Sequence, residues 1–175
     1  MKQNLKCLFT SDLHGNESKY DRLFHYIEKF PPDALFLGGD LTRPVMNIRG
    51  ASPKNNIFSH YILHNLQNLK DFLKELYPQI YLILGNDDSK IFEDEVIDIE
   101  KQGLWHYVHG KHVKWMGYDI FGYSYVPPTP FLLKDWERYD VSRFIEPGSI
   151  APEDGIISFG DKNPENKYKT IKQDL

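Results

Sequence analysis

The chain has 175 residues, a formal net charge of -4 and an apolar fraction of 41%. This length suits a single domain with a substantial core, so we expect one domain over residues 1–175. The acidic balance gives no electrostatic case for general binding to nucleic acid or to an anionic membrane. The only cysteine, Cys7, excludes an internal disulfide, and we expect it to be buried within its apolar run.

The sequence shows no membrane-targeting pattern. No apolar run approaches the ~20 residues that cross a bilayer. The first twelve residues, MKQNLKCLFTSD, turn polar before they reach the apolar length of a signal peptide. We therefore expect a cytoplasmic protein.

The first half of the chain alternates between strand patterns and helical patterns. Three short apolar runs predict buried strands: Leu5–Phe9, Ala34–Leu37 and Ile80–Leu84. Three segments with helical spacing predict helices: Ser18–Phe30 with Ser18 as its N-cap, Ile57–Leu76, and Ser89–Gln102. The polar stretch Leu41–Asn56 predicts a long loop. This order predicts a mainly parallel sheet with helices on both faces.

The sequence pattern changes after Gly103, where short aromatic stretches replace the alternation of strands and helices. Three aromatic stretches predict short strands that begin a second sheet or an antiparallel edge: His106–Val108, His112–Met116 and Asp119–Tyr125. The segment Leu132–Phe144 is a candidate helix. We expect the last thirty or so residues to form loops, with a short helix near the end. The mixed charges of Lys162–Lys172 are typical of a solvated tail, not of a specific nucleic-acid patch.

Each of the first three predicted strands ends in a polar cluster. The clusters are Asp12-Leu13-His14, Gly39-Asp40 and Gly85-Asn86-Asp87. The carboxyl ends of parallel strands share one edge of a sheet, so we expect these side chains to lie close together. In extended backbone, Asp12 and His14 would face the same side. Each cluster alone is an ordinary sequence, but the three in order predict a metal site.

The donor types indicate which cations such a site would take. Carboxylate, imidazole and amide oxygen suit two divalent ions drawn from Mn, Fe, Zn, Ni or Mg. Two such ions, ~3.5–4 Å apart, would activate a water as hydroxide and clamp a phosphoryl group. Asp40, central in chain order, is the candidate bridging ligand.

The clusters D-L-H-G-N, G-G-D and G-N-D resemble the motifs of the calcineurin-like metallophosphoesterases. That family's pattern is D-x-H, G-D, G-N-H-[DE], a downstream histidine, and G-H-x-H. The resemblance, which covers roughly the first 125 residues, implies an α/β fold: a β-sandwich flanked by helices in an α/β/β/α order. It also implies that Asp12 and His14 hold one metal ion, that Asp40 bridges, and that Asn86 holds the second.

Two departures from the family pattern bear on activity. Asp87 stands where the family has its G-N-H histidine, so we expect it to act as an acid with a raised pKa or to position a water. No histidine follows His112, so the late histidine ligands and G-H-x-H are missing. We therefore expect a C-terminally incomplete fold with two metal sites that are only partly occupied.

Two functions remain open from the sequence. One is a hydrolase that attacks a phosphomonoester or phosphodiester substrate by metal-activated hydroxide, as a phosphatase or a phosphodiesterase. The other is a truncated, catalytically weak or inactive relative that serves as a binding or scaffold module. A sandwich without its last strands would expose an apolar sheet edge, which predicts self-association.

Overall fold

A computed structural model describes residues 4–43, 57–158 and 168–175. Most of the predicted loop Leu41–Asn56, and much of the basic segment Lys162–Lys172, lie outside the described residues. Four parallel strands form a sheet in chain order: β1 (Cys7–Thr10), β2 (Ala34–Gly38), β3 (Gln79–Ile83) and β4 (His106–Tyr107). The first three correspond to the predicted apolar runs, with bounds that differ by one or two residues.

Helical segments connect these strands. The helices are α1 (Glu17–Lys29), α2 (Leu63–Leu73) and α3 (Glu93–Glu100). A π-helical turn (Phe58–Ile62) precedes α2, a 3-10 turn (Lys74–Leu76) follows it, and another 3-10 turn (Lys90–Phe92) precedes α3. The predicted N-cap of the first helix is wrong. Asn16, not Ser18, has extended backbone, and its side chain accepts a hydrogen bond from the N–H of Lys19 at 3.2 Å.

The three helices pack on one face of the sheet, not on both as predicted. Ile27 of α1, Leu66 of α2 and Val96 of α3 share one buried core with Leu35 and Leu82 of the sheet. The strand order explains this arrangement. Because each new strand is added on the same side of the last, right-handed crossovers place every connecting helix on the same face.

A hairpin covers part of the opposite face. Strands β5 (His112–Trp115) and β6 (Tyr118–Phe121) pair antiparallel as a second sheet. Its side chains pack against Tyr81 of β3 and against Val108, which follows β4. The fold is thus α/β, with a parallel sheet and a second sheet flanked by helices. The stretch His106–Val108 does not begin the second sheet as predicted, because α3 completes another crossover and β4 pairs with β3.

The hairpin leaves the β1 end of this face open. Cys7 is exposed, and Phe9 is 68% exposed, so the prediction of a buried cysteine is wrong. Both residues point to the face opposite the helices, where a groove of about 770 Å³ lies between β1, Phe36 and Trp115. Among the described residues, β1 pairs only with β2. Self-association through this edge stays a prediction, which the molar mass in solution would test.

The segment after the hairpin is irregular. The predicted helix over Leu132–Phe144 is wrong, because its backbone forms turns and isolated bridges instead. Asp135 and Glu137 turn inward and accept hydrogen bonds from backbone N–H groups of other segments, which competes with local helical bonding. The short helix expected near the end is α4 (Ile171–Asp174). Among the described residues, no helix is both long and apolar enough to span a membrane.

Candidate metal centre

Backbone hydrogen bonds tie the loops after β1 and β2 together. The N–H of His14 donates to the carbonyl of Asp40 at 2.8 Å, and the N–H of Gly15 donates to Leu41 at 2.8 Å. The loop after β3 joins them, because the N–H of Asp87 donates to Oδ1 of Asp40 at 3.0 Å. The polar clusters at the three strand ends therefore meet, as the parallel sheet predicts.

Asp12, His14 and Asp40 bring their ligand atoms together. One oxygen or nitrogen from each lies within 4.8 Å of the others. Oδ1 of Asp12 lies 3.8 Å from Nε2 of His14. The side chain of Asp12 is 65% exposed and that of His14 is 34% exposed, so solvent reaches the group. Two carboxylates and one imidazole at this separation could hold a divalent cation.

Left-handed backbone, not extended backbone, brings these ligands together. The φ angles are 58° at Asp12, 49° at His14 and 53° at Asp40. The expectation that Asp12 and His14 face the same side of an extended strand is therefore wrong. This conformation costs roughly 1–2 kcal/mol per non-glycine residue, and the hydrogen bonds between the loops hold it in place.

One ring nitrogen of His14 supports the fit to a cation. Nδ1 is buried and has no hydrogen-bond partner among the described residues. Its neighbour, Oδ2 of Asp87, is 3.7 Å away, which is too long for a hydrogen bond. A buried polar atom without a partner is uncommon in folded proteins. The donor set and this nitrogen are consistent with a metal ligand role for His14.

Asp87 lies beside the group, and Asn86 precedes it in the same loop. Burial, and then the charge of Asp40, raise the pKa of Asp87, while the charge of His14 acts in the opposite direction. Asn86 is half-buried, and its amide nitrogen lies 3.5 Å from Oδ1 of Asp87. The assignments of Asn86 as a metal ligand and of Asp87 as a catalytic residue stay predictions.

Sequence reasoning missed a fourth carboxylate, Asp88. It is fully buried and accepts hydrogen bonds from the N–H groups of Leu41, Thr42 and Gly85, as well as from Oγ1 of Thr42. Burial raises the pKa of Asp88, and these hydrogen bonds act in the opposite direction. The acidic position that closes the G-N-H-[DE] pattern could have identified it. Its contacts show that it holds the loop of Asp40 against the loop after β3.

Basic side chains border the acidic group. Nζ of Lys19 donates to the main-chain carbonyl of Asp12 at 2.7 Å. Nε of Arg43 donates to the carbonyl of Gly15 at 3.3 Å. Arg43 also lines a cavity of about 230 Å³ together with Thr42. Cationic groups therefore lie next to the loop that carries Asp12 and His14.

The fold and these residues define an α/β protein with a candidate metal centre at the carboxyl edge of its parallel sheet. The family model for calcineurin-like phosphoesterases matches residues 5–170. The chain therefore belongs to this family.

Two solved structures are similar to part of this chain. No curated protein has a significant match to this sequence. One solved structure is 20% identical with a TM-score of 0.46, over 69% of this chain and 53% of that one. The crystal structure of TT1561 of Thermus thermophilus is 18% identical with a TM-score of 0.47, over 71% of this chain and 51% of that one. The chain spans about half the length of these structures.

Proposed function

We propose that this protein is a metal-dependent hydrolase of a phosphomonoester or phosphodiester. The observation that carries the proposal is the convergence of Asp12, His14 and Asp40 within 4.8 Å. The family to which the chain belongs supports the same chemistry. Both a phosphatase and a phosphodiesterase activity are compatible with this chemistry.

The metal ligands in this proposal come from three loops. Asp12 and His14 would hold one divalent ion, Asn86 would hold a second, and Asp40 would bridge. Bound divalent ions supply Lewis acidity, which makes water nucleophilic at neutral pH and offsets charge on a phosphoryl group. Mn, Fe, Zn, Ni and Mg all suit these donors.

Electrostatics explain why the centre needs cations to accept a phosphate. Asp12, Asp40 and Asp87 place three carboxylates near one another, and at this density they would repel an anionic substrate. Lys19 and Arg43 offset part of this charge from the border of the group. In this proposal Arg43 pairs with the substrate phosphate from the neighbouring cavity.

Asp87 is the proposed acid in the reaction. It contacts the group directly, since its N–H donates to Asp40 and its carboxylate faces His14. From this place it would protonate the leaving oxygen or hold a water beside it. Replacement of Asp87 should therefore lower kcat more than it lowers metal binding.

The deciding experiment measures bound metal and turnover together. The purified chain would be loaded with Mn²⁺, its metal content counted, and its activity followed on 4-nitrophenyl phosphate and bis(4-nitrophenyl) phosphate. We expect about two ions per chain and a loss of turnover of at least about 100-fold in Asp40→Asn. The exposed Asp98, which pairs with Lys101, provides the matched control Asp98→Asn. A chain that binds no metal and turns over neither ester contradicts the proposal.

A specific observation favours a second candidate. Among the described residues, the compact ligand group contains a single imidazole, His14, and Asp87 stands where the family motif has histidine. A weak or inactive relative would then serve as a binding or scaffold module. Metal and phosphate binding without turnover would support this candidate over the hydrolase.

A further inference from the structure

A second cavity lies beside the hairpin and is lined largely by aromatic rings. Its volume is about 570 Å³, within the usual range for small-molecule sites. Phe121, Tyr123 and Tyr125 alternate along the chain and all line it. The ring of His112 stacks on Phe121 with 4.5 Å between centroids, and both residues are exposed. The cavity therefore offers accessible ring faces.

The carboxylate of Asp174 lies on the polar side of this cavity. The guanidinium of Arg138 lies 3.7 Å from the ring centroid of Tyr125 and forms an ion pair with Asp174 of α4. Oη of Tyr123 donates to Oδ2 of Asp174 at 2.6 Å. A fixed cation and a phenol thus converge on one carboxylate, which is how proteins bind anions.

The surroundings of the cavity are also cationic. Nζ of Lys90 lies 4.7 Å from the ring centroid of Trp136 and 3.3 Å from Oη of Tyr125. The ring of His109, which contacts Trp136 and Tyr125, is held neutral because burial, Lys90 and Arg138 lower its pKa to about 4. Near neutral pH, His109 therefore adds no positive charge beside Lys90 and Arg138.

The cavity lies at the same edge of the sheet as the candidate metal centre. His109 follows β4, and β4 neighbours β3, after which Asn86 and Asp87 lie. Neighbouring strands are ~4.8 Å apart, so the ends of β4 and β2 are separated by ~10 Å. Lys90 also follows Asp87 closely in the chain. One elongated organic phosphoester could therefore contact both the candidate metal centre and the cavity.

We propose that this cavity binds the leaving group of the substrate, and that this leaving group carries an aromatic ring and an anionic group. The ring stacks on Phe121 and His112, and the anion replaces Asp174 on Arg138. Asp174 then acts as an internal competitor that keeps the cavity closed to weaker ligands. The link to turnover rests on the proposed function, while binding to the cavity does not.

Binding to the metal-free chain tests the cavity by itself. Phenylphosphonate and methylphosphonate carry the same anionic group, and only the first has a ring. With chelator present, ligand-observed NMR should show phenylphosphonate binding at least about tenfold more tightly, and Arg138→Met should lower its affinity about tenfold. Phe121→Leu should lower it about threefold to tenfold. Phe131→Leu, at an exposed phenylalanine that does not line the cavity, should leave it unchanged.

The Asp174→Asn variant tests most directly whether Asp174 competes with the ligand for Arg138. Because this variant removes the internal competitor, we expect phenylphosphonate to bind more tightly, by about threefold or more. Asp98→Asn is the matched control at an exposed ion pair. Equal affinities for the two phosphonates, or weaker binding by Asp174→Asn with its thermal unfolding unchanged, would overturn the proposal.

Turnover separates this proposal from the proposed function. In the metal-loaded full chain, Phe121→Leu should raise KM for an alkyl phosphate that carries a benzoate ring ~10 Å from phosphorus. It should leave methyl phosphate hydrolysis unaffected. If no ester is turned over but the ring preference in binding persists, the hydrolase fails and the cavity site stands. If turnover persists without any ring preference, the cavity proposal fails alone.

Discussion

The buried carboxylate of Asp88 holds Thr42 through two hydrogen bonds. Oδ1 of Asp88 lies 2.7 Å from the backbone N and 2.8 Å from Oγ1 of Thr42. The same carboxylate also accepts the N–H groups of Leu41 and Gly85. One side chain thus fixes the loop that carries Asp40 relative to the loop that carries Asp87.

Loss of the Asp88 carboxylate should lower the free energy of unfolding more than loss of any one of its hydrogen-bond partners. Asp88→Ala leaves several buried N–H groups unpaired, so we expect the free energy of unfolding to fall by about 3 kcal/mol or more. Thr42→Val removes only the hydroxyl bond and should cost about 1 kcal/mol. Chemical denaturation of both variants checks this order, and equal losses would contradict it.

Gly85 should be required for the position of Asp40. A Cβ added at Gly85 would overlap the carboxylate and backbone N of Asp40. We expect Gly85→Ala to displace the carboxylate and to lower Mn²⁺ affinity by about tenfold or more. The measurement is metal titration of the folded variant.

Gly110→Ala is the control for this substitution. Gly110 has a φ of 65°, but a Cβ there would meet no atom within 4 Å. The control should therefore lose about 1 kcal/mol of stability through its backbone alone and keep its metal affinity. If both variants bind Mn²⁺ like the unaltered chain, Gly85 does not position the ligand.

The sequence predicted the sheet better than it predicted where each strand lies in it. Continuous apolar runs identified β1, β2 and β3, and their ends identified the loops of Asp12, Asp40 and Asp87. A strand pattern does not reveal sheet order, so the exposure of Cys7 at the edge was missed. The prediction of helices on both faces failed for the same reason, since the strand order decides the face.

Two other features depend on long-range contacts that a local pattern does not contain. The left-handed backbone of His14 is held by a hydrogen bond to Asp40, twenty-six positions away in the chain. The irregular path of 132–144 is fixed by inward-facing polar groups such as Glu137, which bonds to Thr129. Such contacts override local helical propensity.

His109 should make stability sensitive to acid. Burial, Lys90 and Arg138 lower the pKa of His109 from 6.5 to about 4, and Asp174 opposes them. The unfolded chain therefore takes up a proton near pH 6.5, whereas the folded chain does so only near pH 4. The stabilising contribution is complete above pH 6.5 and is lost as the pH falls towards about 4.

His109→Asn should reduce this sensitivity. Asparagine does not titrate, and its oxygen can accept the Ser124 N–H that Nδ1 of His109 accepts at 3.0 Å. The free energy of unfolding of the variant should therefore fall less between pH 7 and pH 4.5 than that of the unaltered chain. His106→Asn, at an exposed ring bonded to Gln79, is the control. Parallel pH profiles for all three chains would refute the assignment to His109.

The ion pair between Lys134 and Glu137 should be important for stability because it is fully buried. Both side chains are 0% exposed, and Nζ of Lys134 lies 2.5 Å from Oε2 of Glu137. Glu137 also accepts the N–H and hydroxyl of Thr129, and Lys134 donates to the Thr129 carbonyl at 2.8 Å. Removal of one partner would leave an unpaired buried charge.

We expect Lys134→Met to lower the free energy of unfolding by about 3–5 kcal/mol. Lys101 and Asp98 form a matched exposed pair at 2.7 Å, so Lys101→Met should lower the free energy of unfolding far less. Urea denaturation of the two methionine variants measures the difference directly. A small loss at Lys134 would mean that the buried carboxylate of Glu137 finds other partners, and that the segment 132–144 is held by its backbone bridges instead.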